Sequence, residues 1–289
     1  MKVKLKFLNT LPDLARKFRF ASDSLDQSDS EDELNPNELG LNDKRIIEQN
    51  LVNTENPHIQ MRKTISIDYE IYGVTRALLQ EFARHPIGNA FVVKSTRYAL
   101  HRIAKDERIE SDSMEYSNEE IVKDYYYIPE NDFVEPDERT NWIDNRYDEL
   151  VQIWFYKTTH KMPNDKLKKY VHDYMYCNIT GNISGQALYN MLRQRLDDVA
   201  WYQFQDLAKE IYKQIPEEWK PIFKVYKYNK LSHNLNYDEV TKMMKDILNI
   251  PGSHSEYSEI LNKVYRYLNQ SRELLNKNLV EKIDLTEGL

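Results

Sequence analysis

Strict alternation of apolar and polar positions marks the strongest element of the chain. Across residues 64–71, TISIDYEI, Ile65, Ile67, Tyr69 and Ile71 fall on one side, and Thr64, Ser66, Asp68 and Glu70 on the other. A period of two is the signature of a half-buried strand. Residues 2–8 show the same pattern, with Val3, Leu5 and Phe7 on one face and lysines between them. Gly73 is expected to close the second strand, and Thr75 to cap a helix reaching about Ala83. One helix is expected after Pro12 and another from about Asp43 to Asn53. From Thr140 the chain turns largely helical. Ala200, Phe204, Leu207, Ile211 and Ile215 keep helical spacing until Pro216. Two further helices are predicted at about 237–249 and 256–275. There is no internal repeat. The pattern predicts an α+β fold, with strands early and helices late.

Two segments break this pattern. Residues 22–43 and 106–137 are acidic, the second also Tyr-rich with Pro129 and Pro136. Both are predicted to adorn the surface, and the second is also a candidate cap for a site mouth. A length of 289 residues, with 40% hydrophobic and 12% aromatic positions, supports a full core in one or two domains. The net charge of −7 argues against a general nucleic-acid binder. No apolar run approaches the roughly 20 residues of a membrane span. The N-terminus is too polar for a secretion signal. The single cysteine, Cys177, excludes an internal disulfide framework and fits a reducing cytoplasm, so a cytoplasmic protein is expected. No metal site is read from the sequence.

Candidate chemistry concentrates in residues 73–98, GVTRALLQEFARHPIGNAFVVKSTRY. A short apolar helix leads there into a loop carrying Arg84, His85, Lys94, Ser95 and Arg97. Arg and Lys bind phosphate, and a hydroxyl between two cations adds a neutral donor. The loop is a candidate seat for a phosphorylated small molecule. The alternative is a solvated basic loop.

The same stretch resembles the flavin-dependent thymidylate synthases. Their signature is Arg-His-Arg, seven residues, Ser, one residue, then Arg-Tyr. Here Arg84-His85-Pro86 is followed after eight residues by Ser95, Thr96 and Arg97-Tyr98. A second block, Ala187–Arg195 followed by Ala200–Ile211, is similar to the family's C-terminal helix pair. The resemblance covers roughly residues 1–223, and residues 224–289 read as an added helical extension. It implies a central mixed or antiparallel sheet flanked by helices, and a homotetramer with sites at subunit interfaces. It also implies transfer of a one-carbon unit from methylenetetrahydrofolate to C5 of deoxyuridine monophosphate, with reduced FAD as hydride donor and NADPH as its reductant. That route needs no cysteine nucleophile, in keeping with Cys177 as a half-buried, inert thiol.

Position by position, the resemblance assigns Ser95, Thr96 and Arg97 to the nucleotide, with Ser95 and Arg195 as catalytic residues. Arg195 would hold the pyrimidine and stabilise charge on its carbonyl oxygen; the alternative is a surface charge paired with Asp197 or Asp198. Lys168 and Gln80 are further substrate candidates, with a solvated lysine face and Glu81 as the respective alternatives. His58, Arg84, His85, Asn89 and Asn190 are the cofactor candidates. The chain departs from the family pattern at Pro86 for Arg, at Lys63-Thr64 for Glu-His, at Ser184-Gly185-Gln186 for Asn-Ala-Arg, and at Val199 for His. Two alternatives follow. One is a hydroxymethylase or an enzyme for deoxycytidine monophosphate, motivated by the altered stretch 87–94. The other is a degenerate homologue that binds nucleotide or a partner protein, with FAD binding weakened or lost.

Overall fold

The alternating segment lies inside a four-stranded antiparallel sheet in this computed structural model, which describes residues 1–22, 39–54, 57–110, 116–230 and 280–289. The strands are β1 (Lys2–Phe7), β2 (Ser66–Thr75), β3 (Asn89–Val93) and β4 (Tyr176–Ser184), in the order β1-β2-β4-β3. β2 does not stop at Gly73 but runs to Thr75. Gly73 has φ 72°, and the register with β4 shifts between Tyr72 and Val74. The glycine therefore permits a bulge that lets the strand continue.

Helices α1 (Leu11–Ala21), α2 (Leu41–Ile47, continuing as a π-turn over Glu48–Val52) and α3 (Ile59–Lys63) connect β1 to β2. After β2 come α4 (Arg76–Phe82), α5 (Thr96–Ile103), α6 (Glu107–Glu110), α7 (Asn118–Lys123), α8 (Pro136–Thr158), α9 (Asn164–Leu167), α10 (Gly185–Arg195) and α11 (Tyr202–Lys213). Ile67, Tyr69, Ile71, Ile179 and Ile183 are buried on one sheet face, covered by Leu78 and Phe82 of α4, Leu188 and Leu192 of α10, and Phe204 and Leu207 of α11. Each such side chain contributes about 1.5–3 kcal/mol on burial. The polar face carries exposed pairs such as Lys4–Glu70 at 3.0 Å, which contribute about 1 kcal/mol or less each. Apolar burial therefore holds the sheet.

The described residues of 106–137 are not surface decoration. Ile109, Ile121, Val122, Tyr125, Tyr126 and Ile128 are buried in a second core with Leu100 and Ile103 of α5 and Ile143, Leu150 and Ile153 of α8. The acidic residues stand at its rim, where arginines meet them. Arg139 donates to Glu119 at 2.9 Å and to Glu130 at 2.7 Å, and Arg108 to Asp106 and Asp124, each at 2.7 Å. The hydrogen bonds from Arg108 hold the Asp106 carboxyl down to about 2.

The described residues form two compact units, Met1–Lys224 with Gly288–Leu289, and Val225–Glu287. In the second unit, β5 (Tyr226–Lys230) and β6 (Val280–Asp284) pair antiparallel. The helices predicted at 237–249 and 256–275, and most of the acidic segment 22–43, lie outside the described residues. Among the described residues no helix is long and apolar enough to cross a membrane.

Candidate active site

α4 joins two clusters of polar side chains. Its N-cap, Thr75, accepts from the Leu78 amide and donates to Gln203 Oε1, both at 3.0 Å. This buried tether ties α4 to α11. Arg76 stands at one end of α4 and Glu81 near the other, about 7.5 Å apart along the axis at 1.5 Å per residue.

The Glu81 end gathers Arg84, His85, Arg195 and Phe204. Arg195 Nε donates to His85 Nε2 at 3.1 Å and Nη2 to Glu81 Oε2 at 3.3 Å. Its guanidinium lies 4.4 Å from the Phe204 ring centroid, and its side chain is 16% exposed. Arg84 donates to both Glu81 oxygens, at 2.8 and 3.1 Å. A guanidinium only donates, so the His85 nitrogen facing it is an acceptor and the imidazole is neutral. Burial, and next the charge of Arg195, hold the His85 pKa below its usual value. The hydrogen bond from Arg84 holds the Glu81 carboxyl down as well. Arg195 is thus fixed between an imidazole, a carboxylate and an aromatic face. Helix phase selects Glu81 for this role and leaves Gln80 exposed.

The Arg76 end gathers Ser95, Thr96, Arg97 and Lys168. Ser95 caps α5 and accepts from the Arg97 amide at 3.3 Å. Arg76 Nη1 donates to Thr96 Oγ1 at 2.8 Å. Asp165 draws in two cations, Lys168 at 2.9 Å and Arg97 at 3.7 Å. Both are exposed, so their positions are set loosely. A cavity of about 210 Å³ opens beside Ser95 and Thr96, lined also by Arg76, Lys94 and Arg102. Arg76 and Arg102 went unnoticed in the sequence because neither belongs to the motif; only their spacing on short helices signals them. Within one chain, Ser95 and Arg97 belong to one cluster and Arg195 to the other.

The remaining candidates are dispersed. Asn89 is a core residue in β3: its Oδ1 accepts from the Tyr69 hydroxyl at 2.7 Å, and its amide nitrogen is buried. The sole polar side chain in that strand thus turns inward, toward Tyr69. His58 is exposed before α3 and edge-on to Phe18, with ring centroids 6.1 Å apart. Asn190 accepts from Gln186 Nε2 at 2.9 Å. Gln186 in turn faces Arg62, a buried guanidinium 4.0 Å from the Tyr189 ring centroid. Cys177 is buried in β4, and burial pushes its thiol up to about 11, as an inert thiol should be.

Residues 10–222 match the family described as thymidylate synthase complementing protein. The chain belongs to this family. It is 27% identical over 184 residues to the flavin-dependent thymidylate synthase of Helicobacter pylori strain 26695, spanning 64% of this chain and 82% of that one. The protein of the same description from Wolinella succinogenes is 25% identical over 185 residues, again spanning 64% and 82%. Among solved structures, Helicobacter pylori thymidylate synthase X with FAD and dUMP has a similar fold. The TM-score is 0.63 at 22% identity, covering 77% of this chain and 97% of that one. The α+β architecture, an antiparallel sheet with helices packed on it, is therefore that of a thymidylate synthase complementing protein.

Against the pattern of this family, the departures fall at distinct places. Pro86 follows His85 in an exposed turn and offers neither charge nor amide donor. Val199 is 86% exposed, so it fills no pocket within the chain. Gln186 lacks the arginine charge, but the Arg62 guanidinium stands against it, 3.4 Å from Oε1.

Proposed function

We propose that this chain transfers a one-carbon unit to C5 of deoxyuridine monophosphate, forming thymidine monophosphate, with FAD, NADPH and methylenetetrahydrofolate as cofactors and co-substrates. The observation that carries this reading is the fixed Arg195 guanidinium in a chain whose family match spans residues 10–222. A rigid guanidinium stabilises negative charge on a pyrimidine carbonyl oxygen without reorganising. Ser95 and Arg97, with Thr96, would take the phosphate, and the two clusters would be completed by neighbouring copies in a homotetramer. A buried free Cys177 suits a cytoplasmic setting.

The residues present fit FAD. Its pyrophosphate is anionic and its ring system is flat and largely apolar. Arg84, 69% exposed, offers a guanidinium to the first, and Ile87, 88% exposed, an apolar seat to the second. Asn190 has its oxygen occupied by Gln186, so its amide nitrogen is left to donate. When bound, the reduced flavin would supply hydride. The protein's own part is positioning and electrostatics.

The test is mass spectrometry of the product from deoxyuridine monophosphate, methylenetetrahydrofolate, FAD and NADPH. A methylated uracil nucleotide is expected. A hydroxymethylated product, or turnover of deoxycytidine monophosphate alone, would overturn the assignment of substrate and product. A second reading, nucleotide binding without redox chemistry, is favoured by Pro86, which removes a cation and a donor beside Arg84 and His85.

A further inference from the structure

Arg62, in the last turn of α3, is only 3% exposed, yet among the described residues no carboxylate pairs with it. Its Nη1 donates to Gln186 Oε1 over a long 3.4 Å, and its buried Nε meets no partner among the described residues. The guanidinium lies 4.0 Å from the Tyr189 ring centroid. A buried charge held in this way costs stability rather than adding to it. The backbone nevertheless brings it close to α10. Gly185 stands where the family pattern has Ala. A Cβ there would lie 2.8 Å from the Arg62 carbonyl oxygen and 2.8 Å from Ile65 Cβ. The glycine therefore lets α10 begin against the end of α3, where the Gly185 amide donates to the Ile65 carbonyl oxygen at 2.9 Å.

The guanidinium sets the direction of two amides. It only donates, so the Gln186 side chain must turn its oxygen toward it. The Gln186 nitrogen then points along α10 and donates to Asn190 Oδ1 at 2.9 Å. With its oxygen taken, the Asn190 side chain is left to donate. It is half-buried, and among the described residues nothing accepts from its nitrogen. An amide's oxygen and nitrogen ends are nearly the same shape. Without a donor-only group at position 62, both amides could reverse at little cost, and Asn190 would offer an oxygen as readily as a nitrogen.

We propose that Arg62 and Gln186 are positioning residues, which hold the Asn190 amide as a hydrogen-bond donor toward an acceptor atom of the bound flavin. They act through Asn190. A buried guanidinium without a counter-charge gives up stability, and a fixed polarity at Asn190 is what the fold gains from it. That the acceptor belongs to flavin rests on the proposed function. The polarity of the relay rests on the donors and acceptors of the three side chains alone.

The test is titration of the full-length protein with FAD, followed by the visible flavin band, beside urea unfolding of the same samples. It compares the parent with Arg62→Met, Gln186→Met, Asn190→Ala and the double variant of Arg62→Met with Asn190→Ala. Arg62→Met is expected to keep or raise the urea midpoint, because an apolar chain removes an unpaired buried charge. It should nevertheless bind FAD about tenfold more weakly, the loss of one directed hydrogen bond. Gln186→Met breaks the relay one link further on and should weaken FAD to the same degree. In the Asn190→Ala background, Arg62→Met should change FAD affinity no further. Unaltered FAD affinity in Arg62→Met overturns the proposal alone, as does a loss that persists in full without Asn190. A urea midpoint that falls together with the affinity makes Arg62 a merely structural residue and overturns it too. A parent that takes up no FAD removes the proposed function, and this proposal with it.

Discussion

Arg195 is held by groups of different chemistry: a neutral imidazole, a carboxylate and an aromatic face. Each fixes direction as well as charge, so a lysine cannot take its place. Arg195→Lys is expected to lower kcat/KM about 10²–10³-fold with little loss of stability, checked by steady-state kinetics beside a denaturation curve. Acid should act through His85. Its pKa is lowered on folding by burial and by Arg195, so the unfolded chain binds its proton first. Stability from this group is complete above about 6.5 and is lost as pH falls through the lowered value. Urea midpoints at pH 7.5 and 5 should therefore drop in the parent and drop less in His85→Gln. Asn89 is the opposite case, a structural residue. Asn89→Ala strands the buried Tyr69 hydroxyl and should cost about 1–3 kcal/mol, measured by urea unfolding, without changing flavin affinity. Thr75 as a cap was legible, since a Thr just before an apolar helical run is a strong N-cap signal. The inward turn of Asn89 was not, because its pairing with Tyr69 spans separate strands.

At the scale of elements, alternation was legible where propensity agreed with it. β2 announces itself with Ile and Tyr. β4 alternates just as regularly, with Cys177, Ile179 and Ile183 against Asn178, Thr180 and Asn182, yet Asn and Gly disfavour strands and mask it. Gly181 has a reason to be there. A Cβ would stand 2.2 Å from the Ala90 carbonyl oxygen and 2.8 Å from the Phe91 Cα. Gly181→Ala should thus loosen β3 from β4, seen as faster hydrogen exchange across residues 89–93. The acidic segment 106–137 misled because composition counts charges and not their partners. Its acids were destined for Arg108 and Arg139, and its tyrosines for the core. Between α1 and α2, Arg19 Nε and Asp43 Oδ1 meet at 2.6 Å, both side chains buried. Removing one charge leaves the other uncompensated, so Asp43→Ala should cost about 3–5 kcal/mol in a denaturant titration.

For the whole molecule, the apolar sheet face and the packed second core explain how a family fold persists while several motif residues change. The residues holding the framework, Ile67, Leu78 and Ile183 among them, make no demand on the motif's charges. The charged end points were readable in part: Arg195 and Ser95 from their blocks, Arg76 and Arg102 only once α4 and α5 were seen side by side. The account turns on whether this framework still holds a working flavin. Its most direct test is the visible absorbance of the purified full-length protein with FAD, recorded anaerobically before and after NADPH. A yellow protein whose flavin band bleaches with NADPH is the expected result. A protein that stays colourless and gains no flavin band would contradict it.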